Sequence, residues 1–147
     1  MKSLLKNCAI DYVGAAVSAA NNTDDNSSRL DMTGYDGVIF MTTITDSTAL
    51  GTCTLSIQEN SADSDTGMTE ITGATITATS ASNDDLNDEL LIVDCYKPQE
   101  RYVQGTRVTA TQNGAFGQII AIRYNAAKPP ITQSTSTVAG SKFIVGS

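Results

Sequence analysis

From Leu30 onward the chain alternates apolar and polar residues with a period of two, in short runs separated by polar turns. That period belongs to strands, and it restricts the chain to β structure. The clearest run is Ile71 to Thr79, where Ala74, Ile76 and Ala78 alternate with Thr75, Thr77 and Thr79. In an earlier run Cys53, Leu55 and Ile57 share one face while Thr54, Ser56 and Gln58 share the other, as in a half-buried strand. Thr occurs twenty times, and its β-branched side chain fits a pleated surface better than a helix.

Further strands are expected at Leu30 to Met32, Val38 to Thr45, Glu89 to Tyr96, Tyr102 to Gln112 and Phe116 to Tyr124. The VIFM opening of the second of these and the run LLIVDCY are apolar on both faces, which reads as deep, central strands. Asn113-Gly114 is a type I′ dipeptide, so the last two strands are expected to form a tight hairpin. Phe116, Ile120, Ile122 and Tyr124 should then fall on one face. Seven or so short strands without a long amphipathic helix imply an all-β fold, an antiparallel β-sandwich of jelly-roll type. At 147 residues the chain is one domain's worth, large enough for a real core.

Residues 1–28 read as an N-terminal arm and polar loop (NNTDDNSS), 29–125 as the sandwich, and 126–147 as an extended C-terminal arm. The opening Met1-Lys2-Ser3-Leu4-Leu5-Lys6 and the Ala-rich stretch to Ala20 imitate a secretory signal, but Asn7, Asp11 and Tyr12 interrupt it. A short helix or a strand lying on a neighbour is the expectation for that segment. No run approaches the ~20 apolar residues of a membrane span.

A net charge of −7 and a pI near 4.3 argue against direct nucleic-acid binding, which needs cations to neutralise phosphates. The chain has no His, the commonest general base and metal ligand. Cys8, Cys53 and Cys95 are widely spaced and odd in number, so they read as small buried hydrophobes rather than a disulfide framework or metal set. No nucleophile motif, phosphate loop or dinucleotide fingerprint is present, and the acids cluster in loops. Asp63-Ser64-Asp65-Thr66-Gly67 opens like a calcium loop, but Met68 and Ala74 stand where an EF-hand needs Gly and Glu. No catalytic residue, cofactor or metal site is expected, and the chain does not read as an enzyme.

Recognition features remain. Lys97-Pro98-Gln99-Glu100-Arg101-Tyr102 joins two strands and combines charge with an aromatic; Arg and Tyr are favoured interface anchors. The plainer reading is a loop with a local Glu100–Arg101 pair. In the tail, Pro129 and Pro130 hold the chain extended, Ile131 follows, and a Ser/Thr run leads to the apolar tip Phe143-Ile144-Val145. An apolar tip on such an arm is costly to leave exposed. Lys97, Glu100, Arg101, Tyr102, Pro129, Pro130, Ile131, Phe143, Ile144 and Val145 are therefore the candidate interface residues.

The segments LDMTGYDGVIF, IVDCYKPQERYVQ and IIAIRYNAAKPPITQSTSTVAGS resemble a family of small structural proteins of tailed bacteriophages and prophages, the capsid decoration or cement proteins. The resemblance implies a homotrimer, made in the host bacterial cytoplasm, that sits on the capsid exterior of the virion. There it staples adjacent major capsid proteins without cofactor, membrane or nucleic acid. Two other readings stay open: a phage tail or head–tail connector subunit, and a secreted surface- or carbohydrate-binding β module released by cleavage near Ala20.

Overall fold

The computed structural model describes residues 3–146. A single helical turn, α1 (Leu4–Asn7), precedes β1 (Ala9–Gly14), β2 (Val17–Ala20), β3 (Asp24–Asn26), β4 (Leu30–Asp31) and β5 (Gly37–Ser47). Then follow β6 (Thr52–Asn60), β7 (Thr69–Thr79), β8 (Leu90–Tyr96), β9 (Tyr102–Ala110) and β10 (Gly114–Tyr124). The strands form two antiparallel sheets. Sheet A has the order β1-β10-β5-β8, with β2 also on β10; sheet B has the order β3-β9-β6-β7, with β4 also on β9.

The pairings nest. β1 pairs with β10, β3 and β4 with β9, β5 with β8, and β6 with β7. A long ribbon of this kind, wound so that successive pairs alternate between two facing sheets, is a jelly roll. The sandwich expectation holds, and the topology supplies the strand order that periodicity could not.

Between the sheets Val38, Phe40 and Ile44 of β5 and Phe116 and Ile119 of β10 meet Leu55 and Ile57 of β6 and Val103 of β9, all fully buried. Gly105 permits the closest approach, since a Cβ there would lie 2.8 Å from both Ile119 and Phe40 side-chain carbons. Arg107 of β9 is also fully buried. Its guanidinium donates to the carbonyls of Ala15 (2.8 Å) and Gly117 and to the Asp25 carboxylate, so one side chain crosses from sheet B to sheet A. Burying that charge is tolerable because each face of the fork has an oxygen partner.

Four expectations need correction. β9 and β10 do not form a hairpin; they lie in different sheets, joined by residues 111–113 crossing the edge of the sandwich. Thr111, not the Asn-Gly pair, takes the left-handed conformation (φ 71°). Gly114 is needed for space, because a Cβ would come 2.9 Å from the Cys53 sulfur and 3.1 Å from Thr109 Cγ2. Second, Phe116 points into the core while Ile120, Ile122 and Tyr124 point out. The β10–β5 pairing is irregular between Phe116 and Ile119, and such a bulge reverses the parity.

Third, β8 is an edge strand of sheet A, not a central one. Leu91, Val93 and Cys95 face the core, but Leu90, Ile92 and Tyr96 are 58%, 51% and 59% exposed. Fourth, residues 9–26 are not an arm. Their β1 and β2 complete sheet A, and β3 joins sheet B. The period of two in β1 is masked because Asp11 faces inward beside Val13, where the Arg123 guanidinium binds it at 2.9 Å. From Ala9 on, the stretch that imitates a signal peptide is thus built into the sandwich, with Ala9 and Val13 in the core.

Candidate interaction surfaces

The loop from Lys97 to Arg101 and the turn from Met32 to Asp36 border an open groove of about 560 Å3 at one end of the sandwich. Arg101 does not pair with Glu100. It forms a two-pronged bond with Asp31, Nε at 3.1 Å and Nη2 at 2.7 Å, and its guanidinium lies 5.1 Å from the Tyr102 ring centre. The Arg101 hydrogen bond, helped by Thr33, holds the Asp31 carboxyl well below the usual carboxylate range, against a smaller opposing effect of burial. Glu59 closes the loop from sheet B, accepting the main-chain N–H groups of Gln99 and Glu100 at 2.8 and 3.0 Å. Lys97, in the left-handed region (φ 56°), places its ammonium 5.3 Å from the Tyr96 ring centre. Of the candidate residues, Lys97, Glu100, Arg101 and Tyr102 therefore gather at one end.

Among the described residues the tail has no helix or strand, but a turn closes between Ser134 and Val138 (Val138 N–H to Ser134 O, 3.1 Å), and its first half does not leave the body. Ala126 N–H donates to Asn7 O (3.3 Å), Ala127 N–H to Gly34 O (2.8 Å) and Ile131 N–H to Lys6 O (2.9 Å). Pro129 and Pro130, joined by a cis peptide bond, make the bend between the last two. Gln133 then binds the free edge of β1: its Oε1 accepts Ile10 N–H at 2.9 Å, and its Nε2 donates to Cys8 O at 2.7 Å and Leu5 O at 2.9 Å. One side-chain amide here imitates the N–H and C=O of a missing strand, which is how an edge is kept from pairing elsewhere. The arm expected to reach a neighbour is thus, to Thr137, laid on its own N-terminal segment, because that segment offers unpaired main-chain groups within reach. The tip differs. Phe143 lies under the Lys6 ammonium at 5.4 Å, while Ile144 and Val145 are 70% and 83% exposed.

A third surface has no counterpart among the candidate residues. On the outer face of sheet A, cross-strand pairing aligns Tyr12 with Ile120, Ile120 with Met41, and Met41 with Ile92. The adjoining row is Ile10, Ile122, Ile39 and Asp94. Two ranks of large apolar side chains therefore span all four strands, with one carboxylate, and that carboxylate accepts the Tyr124 hydroxyl at 2.7 Å. The signal was present as apolar residues on both faces of VIFM and LLIVDCY, but it reads as burial until the structure leaves Tyr12, Ile92 and Ile120 exposed.

The acidic loops are engaged in structure. Arg29 binds both Asp63 (2.6 Å) and Asp65, so the calcium-like loop has its carboxylates on a guanidinium. Asp85 caps its own turn through Ser80, Ala81 and Ser82. Among the described residues no three His, Cys, Asp or Glu side chains gather as a metal site would require. The three cysteines are buried and none is in a disulfide; burial pushes all three thiols up.

No known protein family and no curated protein matches the chain. Among solved structures, the PBSX exported protein XepA aligns with 98% of this chain and 46% of its own, at a TM-score of 0.53 and 15% identity. The chain thus spans about half the length of XepA. A Bacillus endospore appendage, of a family of disulfide-linked pili, aligns over 82% of this chain and 90% of its own with a TM-score of 0.49 and 13% identity. A Clostridium thermocellum xylanase 10B fragment with CBM22-1 and GH10 modules aligns over 79% and 24%, with a TM-score of 0.48 and 14% identity. At these identities the similarity to XepA is one of fold. No described helix is long and apolar enough to cross a membrane.

Proposed function

We propose that the chain is a structural virion protein, a decoration or cement protein of a phage head that binds the capsid exterior and ties neighbouring major capsid proteins together. The observation that carries this reading is the apolar outer face of sheet A, two side-chain ranks wide across four strands. A face of that kind marks a surface that works by being covered. The resemblance of three sequence segments to phage decoration proteins supplies the setting, and the XepA-like fold agrees with it.

In this reading the jelly roll is a rigid block and the work is done by burial. The groove between Tyr35 and Arg101 offers aromatic and guanidinium anchors, and the Phe143–Val145 tip offers an apolar plug. Each contact is modest; repetition over a lattice supplies avidity. A surface rich in hydroxyl side chains loses little on desolvation compared with one carrying unpaired charge.

The test is co-sedimentation of the protein with capsids of its neighbouring major capsid protein, titrated to saturation. The expected result is saturation at a fixed ratio to capsid subunits, with a raised capsid melting temperature. A handful of copies per particle would indicate a connector or tail subunit instead, and absence of binding would overturn the virion reading.

A further inference from the structure

We infer that the free edge of β8 pairs, antiparallel, with the same edge of a second copy of this chain, so that two A sheets join into one. The inference stands apart from the proposed function, which uses the outer face of sheet A and leaves its edges unassigned.

A bare strand edge offers unpaired N–H and C=O groups to any other strand, and natural sheets blunt such edges. The other edges here are blunted. Gln133 covers that of β1. β2, β3 and β4 are only four, three and two residues long. β7 is broken by a bulge that sets Ile71 to Ala74 opposite Ile57 alone, with Gly73 left-handed (φ 83°). β8 has none of these devices. It is seven residues long, contains no Gly, Pro, Lys or Arg, and pairs with β5 in unbroken register from Leu90 to Tyr96. Ile44 N–H bonds to Glu89 O and Lys97 N–H to Asp36 O, which places the odd-numbered residues in the β5 ladder. The N–H and C=O groups of Leu90, Ile92, Asp94 and Tyr96 therefore point away from β5. Among the described residues no strand pairs with β8 on that side, and all four side chains are exposed.

Register identifies the occupant as a second β8. The free groups sit on alternate residues, so symmetric antiparallel pairings centre on Ile92, Val93 or Asp94. Centred on Val93, Leu90 meets the partner's Tyr96 and Ile92 meets the partner's Asp94. Each of the four residues then uses both of its groups, on the order of eight main-chain hydrogen bonds. A centre at Asp94 sets that carboxylate against its own copy and brings Pro98, which has no N–H, opposite Leu90. A centre at Ile92 brings Asp88 opposite Tyr96, and Asp88 is left-handed (φ 66°) with its N–H already on Ile44 O. The Val93 register alone satisfies the whole edge, and it also sets Glu89 opposite the partner's Lys97. Pairing of unlike edges, β8 on β1, is closed because Gln133 holds β1. The contact is therefore isologous. Its two-fold axis stands perpendicular to the sheet, so the order β1-β10-β5-β8 continues into β8-β5-β10-β1 with both outer faces on one side.

Sedimentation of the full chain at micromolar concentration should show a dimer of the 15.4 kDa protein. In that dimer the amides of Leu90, Ile92, Asp94 and Tyr96 should exchange as slowly as those of Leu91 and Val93; in a monomer they would exchange at least about tenfold faster. Ile92→Pro deletes an edge donor and spares the β5 ladder, so it should give a monomer with an unchanged far-ultraviolet spectrum. Two further variants test the register without altering the main chain. Ile92→Asp faces the partner's Asp94 and should weaken the dimer at least about tenfold, whereas Ile92→Lys should not weaken it. Under oxidation neither Leu90→Cys nor Tyr96→Cys should cross-link with itself, but a mixture of the two should, since the register sets these Cα atoms about 5.5 Å apart. A monomer overturns the inference, as does a dimer with rapid exchange at the four residues, indifference to Ile92→Asp, or no cross-link in the mixture. Protection of the four amides that appears only on capsids would give the edge to the capsid and overturn it too. The dimer readouts need no capsid, so a dimer that fails to bind capsids would sink the proposed function and leave this inference standing.

Discussion

Arg107 and Asp25 form an ion pair in which the guanidinium is fully buried while the carboxylate side chain is 37% exposed. The same guanidinium bonds to Ala15 O and Gly117 O, so the pair is also a polar link between the two sheets.

Breaking it should be expensive. Arg107→Ala removes a donor from each of the Ala15 and Gly117 carbonyls and the cationic partner of Asp25, and should cost about 3–5 kcal/mol in urea unfolding. Arg107→Lys should recover less than half of that, because an ammonium cannot reproduce the fork. A loss below about 1 kcal/mol for Arg107→Ala would show that the sheets are held without it.

The Asp31–Arg101 pair gives an acid dependence with a definite sign. Arg101 depresses the folded-state pKa of Asp31, so the pair's contribution is fully present above the unfolded value of about 3.9 and is lost as pH falls through the lower folded value. The stability difference between the unaltered protein and Arg101→Ala should be greatest above pH ~4 and shrink steadily in more acid solution. Urea unfolding across that range checks it, and a difference that grows on acidification would contradict the assignment.

Tyr124 responds to base. Burial first, and then its hydrogen bond to Asp94, push the phenol well above its usual value. Its contribution is present below the ordinary pKa of about 10 and lost as pH rises through the raised value. In an alkaline absorbance titration Tyr124 should ionise in a late phase, above the ordinary tyrosine range. Tyr124→Phe should remove the late phase, and Asp94→Asn should move it to lower pH; an unaltered late phase in Tyr124→Phe would assign it elsewhere.

Gln133 should be the anchor of the tail. Gln133→Ala removes three hydrogen bonds to the N-terminal segment, at Leu5, Cys8 and Ile10, and the amides of Ile10 and Ile131 should exchange at least about tenfold faster. Strand amides of β5 and β6 should be unaffected, since the sandwich does not rest on the tail. Unchanged protection of Ile10 would mean that other contacts hold the arm down.

Much of the architecture was legible because strand periodicity is a local property. The strands of Val38, Cys53, Ile71, Glu89, Tyr102 and Phe116 all form within a few residues of the expected bounds. What failed were inferences about neighbours. Asn113-Gly114 has the right chemistry for a hairpin, but the chain leaves its sheet there, and the glycine serves the Cys53 and Thr109 side chains instead. Asp11 looked like a break in an apolar segment because its partner, Arg123, is 112 residues away. Of the candidate residues, those of the 97–102 loop lie together with Tyr35 and Tyr96 nearby, and Ile144 and Val145 are exposed. The tail's attachment was hidden, since it depends on unpaired groups at a strand edge that exists only once the sheet is built.

The sequence by itself determined that this chain is a β-sandwich with a hydroxyl-rich, acidic surface, because alternation and β-branching act residue by residue. Tertiary structure alone decided which apolar face is core and which is exposed. Leu90, Ile92 and Tyr96 are as apolar as Leu91, Val93 and Cys95, and only the order β1-β10-β5-β8, with sheet B on one side, distinguishes them. Burial is a property of what lies opposite, and alternation carries no information about that.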